Sequence, residues 1–156
     1  MYLSVVIPAY HEEQRLPKTL REIRPYLDSK GYEYEVVVVD DGSRDSTVAL
    51  CQEAAKNWKQ LRSLSGSGHH GKGACVKRGC LNARGENILI MDADHATPIE
   101  SLDAFLPHRE KYALVAGVRT FCGQEGASGK GRRIIGLVQQ LMAHIIVFKY
   151  SVADSQ

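Results

Sequence analysis

Two aspartates one residue apart, Asp92 and Asp94, stand at the end of an apolar run, Ile88-Leu89-Ile90-Met91. Carboxylates this close repel one another unless a cation lies between them, and hard oxygen donors suit Mg2+ or Mn2+. A divalent ion held by one or two carboxylates usually completes its shell with substrate phosphates. The plainer reading is a solvated turn whose aspartates cap the next helix. Polar and acidic groups gather at two more run ends, Pro8-Ala9-Tyr10-His11-Glu12 and Asp40-Asp41-Gly42-Ser43. Gly71-Lys72-Gly73 offers an amine and open backbone ahead of a helix, where a diphosphate could approach; a flexible surface turn accounts for it as well.

Other chemistries are excluded by what is missing. There is no G-x-x-x-x-G-K-[ST] phosphate loop, and no G-x-G-x-x-G follows the first strand-like run, so a nucleotide would be held by side chains and a metal rather than a glycine cradle. Cys51, Cys75, Cys80 and Cys122 show neither C-x-x-C spacing nor zinc-finger histidines and read as reduced structural thiols. His69 and His70 read as loop residues rather than ligands, and His95 as either a turn residue or a neighbour of the substrate. Twenty basic and eighteen acidic residues leave a net charge of +2, which favours no nucleic acid. No signal peptide is expected from residues that run straight into a strand, and no apolar run reaches the ~18–20 residues of a membrane-spanning helix.

The elements that must position these groups follow from periodicity. Buried-type strands are expected over 3–7, 34–39 and 87–91, a weaker one over 61–64 and another over 112–118. Leu16, Leu20, Ile23 and Leu27 make the apolar stripe of a first helix that Pro25 should kink or shorten. Asp45 can cap a second helix carrying Val48, Cys51, Ala55 and Trp58, with Trp58 in the core or plugging the surface. A third helix is expected from Ala74 to about Ala83, and Thr97-Pro98-Ile99-Glu100 has capping-box spacing for a fourth. Residues 123–131 read as a mobile Gly/Ser/Lys stretch. Residues 134–148, behind Arg132 and Arg133, read as a buried helix or an interfacial one lying against lipid. At 156 residues the chain has room for one core. Its strand–helix alternation predicts a doubly wound α/β sheet with ligands at the carboxyl ends of the strands.

In order, VVIPAY with His11-Glu12-Glu13, VVVDDGS, GKG and MDAD resemble the motifs of family-2 inverting glycosyltransferases. Asp94 to Glu100, Gly117-Val118-Arg119 and Asp154-Ser155-Gln156 are similar to the dolichyl- and polyprenyl-phosphate branch, above all its glucose-transferring members. The resemblance implies a three-layer GT-A, Rossmann-like fold with a mostly parallel central sheet, and one catalytic domain over 1–156. It implies transfer of a hexose, glucose from UDP-glucose, to dolichyl or polyprenyl phosphate. GDP-mannose as donor, or a non-catalytic nucleotide-sugar-binding remnant, stand as alternatives. It further implies that Pro8, Tyr10, Glu12, Val39 and Asp41 line the base and ribose pocket while Asp40 supports that turn. Asp92 and Asp94 would hold Mg2+ or Mn2+ on the diphosphate, with Ala93 and Lys72 against the sugar nucleotide. Arg119, with Arg132 or Arg133, would meet the acceptor phosphate, and Asp154 joins Asp92, Asp94 and Arg119 in the catalytic set. The enzyme would work on a membrane's cytoplasmic face, endoplasmic reticulum in a eukaryote or plasma membrane in a prokaryote.

Three departures carry expectations of their own. His11 replaces an asparagine. Ala96 stands where some mannosyl-transferring relatives place an amide metal ligand, leaving the ion on two aspartates. Relatives continue past Gln156 with an acceptor-side region, so the chain is expected to be shortened and to keep donor binding better than transfer.

Overall fold

The computed structural model of the chain describes residues 1–66 and 68–117. Arg119, Cys122, Arg132, Arg133, Asp154 and the stretches 123–131 and 134–148 lie outside the described residues. Strands β1 (Leu3–Ala9), β2 (Tyr34–Asp40), β3 (Leu61–Ser65) and β4 (Asn87–Ile90) alternate with helices α1 (Leu16–Asp28), α2 (Thr47–Lys56) and α3 (Lys72–Asn82). Every pairing is parallel and the order is β3-β2-β1-β4. In register, Leu3 faces Tyr34 on one side and Asn87 on the other, so the three strands deliver their carboxyl ends to one edge.

Strand alternation divides the apolar residues between two faces. Val5, Ile7, Val36 and Val38 pack with Leu16, Leu20, Ile23 and Leu27 of α1 and with Cys51 and Trp58. Val6, Val37 and Val39 point the other way and pack with Cys75 of α3. The result is helix–sheet–helix layering. The four valines of β2 are at most 1% exposed. At about 1.5–3 kcal/mol for each fully buried aliphatic side chain, they anchor the sheet together with Leu3, Val5, Val6 and Ile7 of β1, which are as deeply buried. Trp58 belongs to the core, its indole donating to Tyr34 Oη at 2.9 Å. A Cβ on Gly79 would lie 2.3 Å from Val6 Cγ1, so α3 approaches the sheet as only glycine allows.

Four expectations are corrected. Pro25 lies inside α1 without ending it; the carbonyl it leaves without a donor is that of Arg21, and both residues face solvent. The fourth helix is a 3-10 turn (Ile99–Ser101) leading into a single turn, α4 (Leu102–Phe105), with no side-chain cap. Pro107 removes the donor that the Asp103 carbonyl would need to continue it. Residues 112–117 form no strand; β4 ends the described sheet without pairing to them, and Leu114 is 80% exposed. β4 itself is not buried on both faces. Ile88 and Ile90 are 43% and 46% exposed, because β4 is the last described strand and α3 covers β1 and β2 instead. No helix among the described residues is long and apolar enough to cross a membrane.

Candidate active site

The strand order reverses beside β1: β2 and β3 are laid down on one side, and the chain then returns to the other side as β4. Doubly wound sheets bind ligands in the crevice at such a reversal. A cavity of about 300 Å³ opens there, lined by Pro8 and Ala9 at the end of β1, Tyr10 and Glu12 beyond it, Asp41 beyond β2, His69, Lys72 and Cys75 from the loop and α3, and Asp92, Ala93 and Asp94 beyond β4. Eight of the residues singled out by sequence therefore meet at one place. Val39 does not join them: its side chain is fully buried beneath α3.

Asp40 is 3% exposed and accepts the Gly42 and Ser43 N–H groups at 3.0 and 3.1 Å. This bends the chain into a turn at Gly42 (φ +80°), whose missing Cβ would lie 3.0 Å from the Gly68 carbonyl carbon. Asp41 holds the opposing loop. Its carboxylate accepts the His70 N–H at 2.9 Å and the Gly71 N–H at 2.7 Å, and lies 2.8 Å from His69 Nδ1. Burial pushes this carboxyl up, but the two backbone donors, the Cys75 thiol and the His69 ring outweigh it and leave its pKa below the usual range. Burial likewise raises the Cys75 thiol to about 11, with the Asp41 contact adding to it, so the thiol is a protonated donor.

The Asp92-Ala93-Asp94 turn is carried by α1. Thr19 Oγ1 donates to the buried Ala93 carbonyl at 2.7 Å. One turn along, Glu22 Oε2 meets His95 Nδ1 at 2.6 Å, while His95 Nε2 accepts the Ile99 N–H at 3.2 Å. Those partners assign the proton to Nδ1 and make His95 a brace for the turn. His95 (φ 51°) and His11 (φ 54°) both occupy the left-handed region, which costs an L residue about 1–2 kcal/mol. Such strain persists where neighbours over-determine the backbone. Here the His11 N–H donates to Ser43 Oγ at 2.9 Å and its ring stacks on Tyr10 at 4.1 Å. Tyr10 also meets the His69 ring at 4.2 Å, which places an aromatic cluster at the cavity mouth.

Charge is balanced locally. The Glu12 carboxylate receives both Nε (2.6 Å) and Nη2 (2.7 Å) of Arg15, and Lys72 Nζ is ion-paired with Asp92 Oδ1. Asp94 Oδ1 accepts the Ala96 N–H at 3.0 Å. Among the described residues no three His, Cys, Asp or Glu side chains converge as a cation site. Asp92 and Asp94 are both exposed at the cavity rim. That arrangement fits an ion held by two carboxylates and finished by phosphate and water, as Mg2+ and Mn2+ prefer. Thr19, Glu22 and the His69–Asp41 contact went unrecognised in the sequence, as did the contact of the structural thiol Cys75 with Asp41. The one local signal was Thr19, a polar residue set within the apolar stripe of α1.

Comparison with known proteins places this geometry. The glycosyl transferase family 2 profile matches residues 4–151. A dolichyl-phosphate beta-glucosyltransferase of Trichomonas vaginalis is 37% identical over 158 residues, covering 94% of this chain and 48% of the relative. Among solved structures, the mannosyltransferase PcManGT from Pyrobaculum calidifontis, in complex with GDP-Man and Mn2+, is similar at TM-score 0.55 and 27% identity, over 65% of this chain and 30% of that one. S. aureus TarS in complex with UDP is similar at TM-score 0.55 and 28% identity, over 70% and 32%. The chain thus spans less than half the length of these proteins, and its fold is that of the GT-A transferases. On the matched residues, the chain belongs to glycosyl transferase family 2.

Proposed function

We propose that the chain is the donor-binding part of an inverting glycosyltransferase that moves glucose from UDP-glucose to a dolichyl or polyprenyl phosphate. The observation that carries this is that Tyr10, Asp41, Lys72, Asp92 and Asp94 line one cavity. Those residue types suit a molecule that carries both an aromatic base and a diphosphate. Similarity to dolichyl-phosphate beta-glucosyltransferases supports glucose and the lipid phosphate. The similar solved structures divide between a UDP complex (TarS) and a GDP-Man complex (PcManGT), so uridine is proposed here from the likeness to the glucosyltransferases.

In this reading Tyr10 and its two imidazoles offer the base a stacking surface, and Pro8 forms the floor beside it. Asp41 acts chiefly by holding the 68–71 loop, since both its oxygens already accept hydrogen bonds. Asp92 and Asp94 would hold Mg2+ or Mn2+, which supplies positive charge to the departing diphosphate. Lys72 adds a second positive charge against the same phosphates. An acceptor phosphate oxygen attacks C1 of the sugar, the C1–O bond to the nucleoside diphosphate breaks, and the electron pair leaves with that diphosphate. The attacking oxygen is already an anion, so no side chain has to remove a proton. Arg119, Arg132, Arg133 and Asp154 keep their proposed roles on the acceptor and catalytic side. The lipid acceptor accounts for association with a membrane, and the cytoplasmic face is proposed with it by resemblance to the dolichyl-phosphate branch.

Calorimetry of UDP, GDP and ADP against the chain, with Mn2+ and with EDTA, tests the donor site. UDP is expected to bind best, at least about tenfold more tightly with Mn2+, and Asp92→Asn or Asp94→Asn should remove that gain. Equal UDP affinity in EDTA would refute it. Transfer of labelled glucose to dolichyl phosphate tests the reaction; donor binding without transfer would identify the chain as a nucleotide-sugar-binding module.

A further inference from the structure

Lys72 stands where a divalent ion would be wanted. Its ammonium is paired with Asp92 Oδ1, and the two side chains are 62% and 56% exposed. Lys72 and Asp92 also line both the donor cavity and a second cavity of about 300 Å³, which is walled by Met91, Ile99, Leu102 and Phe105. The ion pair is therefore the partition between two spaces. The backbone that carries the lysine is held: the preceding His70 and Gly71 N–H groups are bound by the buried Asp41, and the Gly71 carbonyl accepts from Ala74 and Cys75. Only the flexible four-carbon stem is left to swing.

We infer that Lys72 is a built-in counter-cation, occupying Asp92 until a divalent ion takes that oxygen and then turning onto the diphosphate of the nucleotide sugar. The inference rests on the donor-site reading above. An ammonium and a divalent ion repel each other if both contact one carboxylate oxygen, and the doubly charged ion is attracted about twice as strongly at equal distance and dielectric. The displaced amine finds the diphosphate within the cavity that it already lines. Lys72 thus opposes binding of the metal alone and favours binding of the nucleotide once the metal is present. Such coupling makes the two ligands bind together rather than singly, and it is reciprocal.

The test uses the chain with Lys72→Met, which removes the charge and keeps an apolar stem, and Lys77→Met as a net-charge control on the same helix. Free Mn2+ is followed by electron spin resonance without nucleotide, and UDP binding by calorimetry at saturating Mn2+. Lys72→Met is expected to bind Mn2+ alone about two- to fivefold more tightly, the size of an exposed ion pair. It should bind UDP about tenfold more weakly, as for loss of a charge-assisted contact. Lys77→Met should change neither. A structural role for Lys72 would weaken both ligands. Unchanged or weaker Mn2+ binding, or a Lys77→Met effect as large as that of Lys72→Met, overturns the exchange. If the unmodified chain binds neither Mn2+ nor UDP, it is the donor-site reading that falls.

Discussion

Asp41→Asn tests how the cavity is built. Its carboxylate is 5% exposed, accepts two backbone N–H groups and the Cys75 thiol, and lies beside the His69 ring. The amide keeps the shape but has one acceptor oxygen and presents an NH2 group to a backbone N–H. One donor loses its partner and the charge assistance of the others disappears. An unsatisfied buried donor costs about 1–3 kcal/mol. Because His69 and His70 are exposed and their loop can rehydrate, the lower half of that range applies, about 1–2 kcal/mol. The pH dependence follows from the lowered carboxyl pKa. The contribution is fully present above the unfolded-state value of about 4 and is lost as pH falls through the lower folded-state value. Urea unfolding of the two proteins should therefore differ at pH 7 and converge toward acid. UDP binding should weaken in parallel while Mn2+ binding alone persists, since Asp41 touches neither Asp92 nor Asp94. Superimposable urea curves at pH 7, or a difference that grows toward acid, would refute this account of the loop.

Two further outcomes are expected from packing. Gly79→Ala drives a methyl group against Val6 and Val39 and should lower the urea-unfolding free energy by about 1–3 kcal/mol, with the slope unchanged; an unaltered midpoint would show that α3 can back away from the sheet. Thr19→Val removes the donor to the buried Ala93 carbonyl, costing about 1–3 kcal/mol, and should weaken Mn2+-dependent UDP binding from a position that lines neither cavity. Normal Mn2+ dependence in a destabilised Thr19→Val protein would disconnect α1 from the aspartate turn.

Much of this protein is local enough to be read along the chain. Four valines in succession can hardly be anything but a buried strand, and β2 is one, because continuous apolarity satisfies a sheet covered on both faces. Leu16, Leu20, Ile23 and Leu27 mark α1 by spacing alone. Acids at the ends of β2 and β4 mark the edge where a parallel sheet collects its ligands. What periodicity cannot convey is which strand ends in the middle. Ile88 and Ile90 look like the valines of β2, yet they are half exposed because β4 closes the described sheet. Val39 stands beside the acids in sequence, but strand alternation turns it under α3, away from the cavity. The proline in α1 is tolerated because buried side chains from Leu16 to Leu27 hold the helix on both sides of it, whereas α4, which buries only Leu102, ends two residues before Pro107. Above all, the contacts that make a site of separate motifs span long chain separations: Thr19 to Ala93, Glu22 to His95, Asp41 to His70 and Gly71, and Lys72 to Asp92. Residue type supplied each group's chemistry. Their proximity exists only because the chain, after β3, crosses back to the far side of β1.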